Sequence, residues 1–339
     1  MVRLINNFTL LCKKTENGEE ICSCDFRVNI YGCEHSELYV TSGWILAIMS
    51  ILATIMASGL LIYLIKVRKQ PFFLPASNER GWIRPKPMHS YHLLVIAYMA
   101  LEAFHLIALE VELYPSVKAA ELGNVSAVVF SASAAILYTI SIVYATPNVQ
   151  FNENYELLCK KYGPNILLVD IIGILLFLLP IFAWFPLSSL TGEYADRNDI
   201  EAANYYFAAK YIAIVIWESY IKVIEDRNIS SGVTSSGQVQ SIKKSARNIT
   251  TPVMAIFGGL LSQAIIFVIM SISHRTNTIY VFMWNMFYYW IQYVFFPLLA
   301  LTVESFLIYY TVVNYKDSLT SSANNSNNNN SNNNNSKAE

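Results

Sequence analysis

Glu102 and His105 stand three residues apart inside an apolar run, a spacing that puts a carboxyl group and an imidazole on one face of a helix. Ionisable groups at membrane depth are costly and often functional, so this pair could bind a ligand, hold a cation or relay protons. The plainer alternative is a polar clasp, in which a neutral carboxylic acid donates to a neighbouring helix. Glu110 and Glu112 follow toward the end of the same run. Asp170 sits roughly 9 Å into another run by helical rise and could answer Lys210 or Lys222 where packing allows. Glu218 precedes Lys222 by four residues, the favourable order for a pair within one helix, and Lys222 can also snorkel. Glu304 follows Pro297 and is expected at the membrane interface. His89 and His92 open the second run and read as interfacial side chains rather than metal ligands.

Signatures of catalysis are missing. There is no HExxH, HxxHH or repeated HxxxH pattern for a metal, and no GxSxG elbow or Gly-rich phosphate loop. The expectation is a protein without enzymatic activity, cofactor or metal.

The elements that must position these residues are long apolar runs. The 339 residues are 54% hydrophobic and 14% charged, against about 25% charged in soluble domains. A formal net charge of -1 gives a nucleic-acid partner no support. Runs at 43–65, 91–113, 122–145, 164–187, 205–224, 252–273 and 279–313 are each near or above the roughly 20 residues that cross hydrocarbon. The predicted fold is all-α, a polytopic seven-transmembrane-helix bundle over 43–313. It is preceded by a Cys-rich tail at 1–42 and followed by a disordered Asn-rich tail at 314–339. Pro297 is expected to kink the last run.

Charge sets the expected orientation. No apolar stretch of a cleavable signal opens the chain, so the first run must direct insertion, and Lys66, Arg68 and Lys69 follow it at once. Segments 66–90, 146–163, 225–251 and 314–339 hold fourteen Lys and Arg, while the alternate segments with the N-tail hold seven. The positive-inside rule then puts the N-terminus outside. Trp44, Trp184 and Trp284 fall near the outer span ends, where indoles prefer to sit. Segment 188–203 reads as an acidic outer loop.

Cys12, Cys22, Cys24 and Cys33 cluster in the N-tail and suggest two disulfides in an oxidising compartment. Cys22 and Cys24 pair poorly with each other, which leaves Cys12 and Cys33 as their partners, and no CxxC supports zinc. In this orientation Asn7, of the sequon Asn7-Phe-Thr9, can be glycosylated, whereas Asn228 and Asn248 cannot. Cys159 reads as a plain thiol or a palmitoylation site.

The second run opens Arg84-Pro-Lys-Pro-Met-His89-Ser-Tyr-His92-Leu-Leu. A basic loop, a His at helix entry and a long apolar span resemble the seven-helix tobamovirus-multiplication (THH/TOM-type) family. They are similar, more faintly, to the GOLD-domain seven-transmembrane group, whose large luminal domain has no counterpart here. The resemblance covers about 43–313 as layout. It implies a receptor-like or scaffolding protein of the plasma membrane or an endomembrane, without catalysis. Rhodopsin-like signatures are absent, since the third run ends Ile142-Val-Tyr-Ala-Thr-Pro147 and the seventh has no Asn-Pro-x-x-Tyr. A receptor with an unknown ligand predicts an outward cavity near Glu102 and His105, and cytosolic partners at 66–90 and 225–251. A scaffold predicts a dry, packed interior. A proton- or cation-coupled transporter using Glu102 and His105 predicts a polar route from Glu102 toward Asp170 or Glu304.

Overall fold

In hydrocarbon no water can satisfy backbone N–H and C=O groups, so a long apolar run must bond internally and become a helix. The computed structural model describes residues 8–14, 20–73, 85–145, 166–230, 267–269, 272, 281–309 and 311. Two short strands, β1 (Leu10–Lys14) and β2 (Glu20–Cys24), pair antiparallel at the start. Helix α1 (Ser36–Ile62) continues through a π-helical turn at Tyr63–Val67. There follow α2 (Pro87–Glu110), α3 (Val117–Ala145), α4 (Ile166–Asp196) and α5 (Ile200–Ser230). Helix α6 (Phe282–Tyr289) passes into a π-helical stretch at Trp290–Phe295.

Five stretches among the described residues are long and apolar enough to cross a membrane: Ser36–Val67, Pro87–Glu110, Val117–Tyr138, Asp170–Asp196 and Phe282–Tyr309. Their surfaces fit a bilayer, and the chain is a membrane protein. On α1, Ala47, Ser50, Ala53 and Ala57 face inward while Ile48, Leu52 and Ile55 are exposed. Small residues inside let backbones approach, and large aliphatic ones outside meet lipid. Helix α5 is as long as its neighbours but carries more charge, and it is not among the five. Of the expected sixth run at 252–273, only 267–269 and 272 fall within the described residues. The Asn-rich tail, Asn7, Cys159 and Asn248 lie outside them.

Side-chain contacts fix the helix directions. Gly43 of α1 meets Glu110 of α2, Ser90 Oγ of α2 lies 3.0 Å from Ser141 Oγ of α3, and Ser133 Oγ of α3 donates to Phe177 O of α4 at 2.8 Å. Trp217 Nε1 of α5 lies 3.4 Å from Leu176 O of α4. Consecutive helices α1 to α5 are therefore antiparallel. Helix α6 starts beside the β-hairpin, where Asn285 Nδ2 donates to Cys24 O at 3.2 Å, and runs antiparallel to α2. Helices α5 and α6 thus point the same way.

Two expectations change. The acidic segment 188–203 is not an extended loop: α4 continues to Asp196, α5 starts at Ile200, and the carboxylates serve helix ends. Asp196 accepts from the N–H groups of Val117 and Lys118 at 2.8 and 3.1 Å, satisfying first-turn donors of α3, and Asp199 caps α5 through Ala202 N–H at 3.1 Å. With α4 extended, Trp184 lies well below the helix end. It is buried against Trp217 at 5.4 Å rather than interfacial, unlike the exposed Trp44 and Trp284. Around Pro297 the helix is continuous to Tyr309 and widens into the π stretch. Proline has no N–H to return to the preceding turn, and a π bulge is one way to absorb that loss.

Candidate functional site, a buried charge cluster under the hairpin

The N-tail is part of the bundle. Disulfides Cys12–Cys22 and Cys24–Cys33 staple it, the first across paired residues of β1 and β2, the second closing the segment that carries Phe26 and Arg27. Both of these side chains have no exposed surface. Phe26 packs edge-on to Tyr289 and Tyr293 at 5.5 and 5.7 Å. Tyr31 donates to Glu110 O at 2.7 Å. Burial first, then the charges of Glu110 and Glu112, raises the Tyr31 phenol above its ordinary value, which keeps that donor protonated.

Arg27 carries the site. Its Nη2 lies 2.6 Å from Asp25 Oδ2 and its Nη1 3.1 Å from Glu121 Oε1. Lys210 Nζ donates to the other oxygen, Glu121 Oε2, at 2.7 Å. Two acids and two bases are buried together, so the formal charge of the cluster sums to zero. Aromatic faces line it: the Arg27 guanidinium lies 4.4 Å from the Phe207 ring centre, and Lys210 Nζ lies 5.0 Å from that of Tyr211. Desolvated cations over π faces gain about 2 kcal/mol. Burial alone would push the guanidinium down, but Asp25 and Glu121 outweigh it and hold Arg27 well above its ordinary value.

His105 closes the cluster from α2. Its Nε2 lies 3.1 Å from Arg27 O and its Nδ1 2.9 Å from Tyr114 Oη. A carbonyl can only accept, so Nε2 carries the hydrogen, and in the neutral ring Nδ1 accepts from Tyr114. Burial raises the Tyr114 phenol, which keeps it a donor. Beside this, Asn124 Oδ1 accepts from Gln292 Nε2 and from Tyr293 Oη, each at 2.9 Å. A cavity of about 70 Å³ lies under the hairpin, lined in part by Asn29, Tyr31, Glu112 and Tyr114. Neither Glu102 nor His105 lines it.

The sequence-derived candidates separate into three places. His105 and Lys210 join the charge cluster. Glu102 is buried one turn along α2. The Tyr98 hydroxyl lies beside it, yet no well-aligned hydrogen bond reaches either carboxylate oxygen among the described residues. Asp170 is buried near the far end of α4. It stands 26 residues before the end of α4, about 39 Å by helical rise, whereas Lys210 is about 15 Å into α5. Lys210 accordingly answers Glu121. At that far end His92 Nδ1 lies 2.9 Å from Glu304 Oε1, with both side chains fully buried. His89 is buried against Phe72. These three side chains are therefore packed against protein, because the helix that follows α6 and residues 72–73 cover the start of α2. The side chains of Glu218 and Lys222 lie outside the described residues.

Arg27, Asp25 and Glu121 were not sequence candidates. The available signal was Lys210, since a buried ammonium demands an acid, and Glu121 stands just before the third run, toward the same end of the bundle. Among the described residues no group of three His, Cys, Asp or Glu could hold a metal ion. The chain matches no family model, no curated protein and no solved structure.

Proposed function

We propose that this is a receptor-like protein of seven crossing helices, its stapled hairpin outside or in a lumen and its Asn-rich tail in the cytosol. The carrying observation is Arg27, through which the hairpin grips an acid on α3 that is shared with a lysine on α5. A ligand or redox change acting on the hairpin would therefore act directly on helix packing, and cytosolic segments 66–90 and 225–251 would pass the change to protein partners. Parallel α5 and α6 support an odd number of crossings between them, the place of the expected span at 252–273. The basic residues support the orientation. The weak resemblance to the tobamovirus-multiplication family agrees with a non-catalytic role.

Two measurements test this. Glycosylation at Asn7 alone, among Asn7, Asn228 and Asn248, is the expected topology result; modification of Asn228 or Asn248 overturns it. A labelling enzyme fused to the C-terminal tail should record a different set of cytosolic neighbours in an Arg27→Gln variant at equal surface level. An unchanged set sinks the receptor reading.

A second reading, proton- or cation-coupled transport, is favoured by His92, Glu102 and His105, all buried along α2. Uptake or acidification in vesicles holding the purified protein, lost in Glu102→Gln, would move it to the front.

A further inference from the structure

Helix α2 stops on a residue type that its backbone does not favour. The Leu113 N–H bonds back to Ala108 O at 2.8 Å and the Glu112 N–H to Leu109 O at 3.2 Å, the paired bonds of a Schellman stop. Such a stop turns on a left-handed residue, and here that residue is Glu112, with φ of 51°. Glycine takes this conformation freely, whereas a side chain is strained in it. The charge is unfavourable too, because the carboxyl end of a helix prefers cations. Glu110 adds a second, buried acid to the same turn.

The strained acid lines the cavity of about 70 Å³ beneath the hairpin. Val28, Ile30, Leu109 and Val117 give that cavity apolar walls. Tyr31 and Tyr114 line it as well, and their hydroxyls are already spent on Glu110 O and on His105. What they offer a ligand is their rings. Among the described residues no lysine, arginine or histidine lines the cavity. Lys118, close by in sequence, pairs with Glu193 at 3.1 Å, and Asp196 takes the first N–H groups of α3. No hydrogen bond or ion pair engages the Glu112 carboxylate among the described residues.

We infer that Glu112, Tyr31 and Tyr114 bind the ammonium group of a small alkylamine in this cavity. A carboxylate, the negative end of α2 and two aromatic rings all favour a positive charge. The apolar walls favour a hydrocarbon stem, which a metal ion lacks. An amino acid fits poorly, because no lining cation would pair with its carboxylate. The volume is about half that of the roughly 150 Å³ cavity that holds a benzene ring, so about three heavy atoms fit inside. Tyr31 belongs to the stapled segment and Glu112 to α2, so the amine would bridge the two. Under the receptor reading it is the class of ligand, and only that consequence rests on the reading.

Thermal unfolding of the purified full chain in detergent tests the site, with ethylammonium chloride as the probe. Sodium chloride at equal ionic strength controls for screening; ethanol controls for the alkyl group and alanine for a zwitterion. The expected result is a saturable rise in Tm with ethylammonium alone, in line with binding linkage. Glu112→Gln should shift its midpoint upward by about tenfold. Glu112→Gly relieves the left-handed strain, so it should melt higher than the wild type without amine and lose the response. Equal Tm in ethylammonium and sodium chlorides overturns the proposal. So does a response that survives in Glu112→Gly, or one that alanine matches. Amine binding with unchanged cytosolic neighbours in Arg27→Gln would sink the receptor reading and uphold the site.

Discussion

Lys210 Nζ of α5 stands 2.7 Å from Glu121 Oε2 of α3, in a pocket where both side chains are shut off from solvent. Removing one member of such a pair leaves the other charged and alone, which costs about 3–5 kcal/mol. Glu121→Ala should accordingly be more destabilising than Lys210→Met, because it strands Lys210 and also takes from Arg27 one of its two acids, leaving Asp25 alone to balance it. The double variant should lose less than the sum of the singles by about 1–3 kcal/mol. Thermal unfolding of the four proteins of this cycle gives the coupling, and strict additivity would refute it.

The Cys24–Cys33 bridge closes the segment that carries Arg27. Replacing both cysteines by serine should cost about 2–5 kcal/mol and give trypsin access to the bond after Arg27. The intact protein should resist cleavage there, because Arg27 has no exposed surface. A cleavage map that distinguishes Arg27 from the exposed arginines reads the difference. Equal cutting before and after the change would show that the bridge does not hold the segment in place.

Two glycines give opposite expectations. A methyl group at Gly192 would run into the backbone of Lys118, so Gly192→Ala should destabilise the α3–α4 contact by about 1–3 kcal/mol. Nothing lies near the corresponding position at Gly59. Within α1, Gly59→Ala should stabilise by about 0.5–1 kcal/mol through the chain entropy of glycine. Melting temperatures of the two variants should move in opposite directions.

At the far end of the bundle, Glu304→Gln keeps a side chain that can still hydrogen-bond His92 Nδ1, whereas Glu304→Leu strands the ring. The first should lose roughly half as much stability as the second. A comparison of both with His92→Leu checks that the loss passes through this pair.

Parts of this arrangement were legible in the sequence. Glu102, His105 and Lys210 stood out because each interrupts an apolar run, and all three are buried. Four cysteines in a short tail pointed to two disulfides, and both are present. Arg27 and Asp25 were hidden because charges in a tail look like solvated residues. Nothing local reveals that the tail folds back between helices. Glu121 was hidden at the edge of a run, where an acid reads as a boundary marker. The acids of 188–203 resembled a loop for a similar reason: caps and loops use the same residue types, and only the neighbouring helix ends distinguish them. The His92–Glu304 pair could not be foreseen, since its partners lie 212 residues apart and depend on how α6 crosses α2.

The hairpin is made first and seated last. Its bridges join cysteines only 10 and 9 residues apart, so they can close while most of the chain is still untranslated. Its resting place is built from α3, α5 and α6, and the aromatic floor under Phe26 includes Tyr289 and Tyr293. Until those residues emerge, Arg27 and Phe26 have nowhere to go and remain displayed. A copy with a late truncation or a misplaced α6 would carry that display permanently. The burial of this short N-terminal segment thus depends on residues more than 250 positions further along the chain.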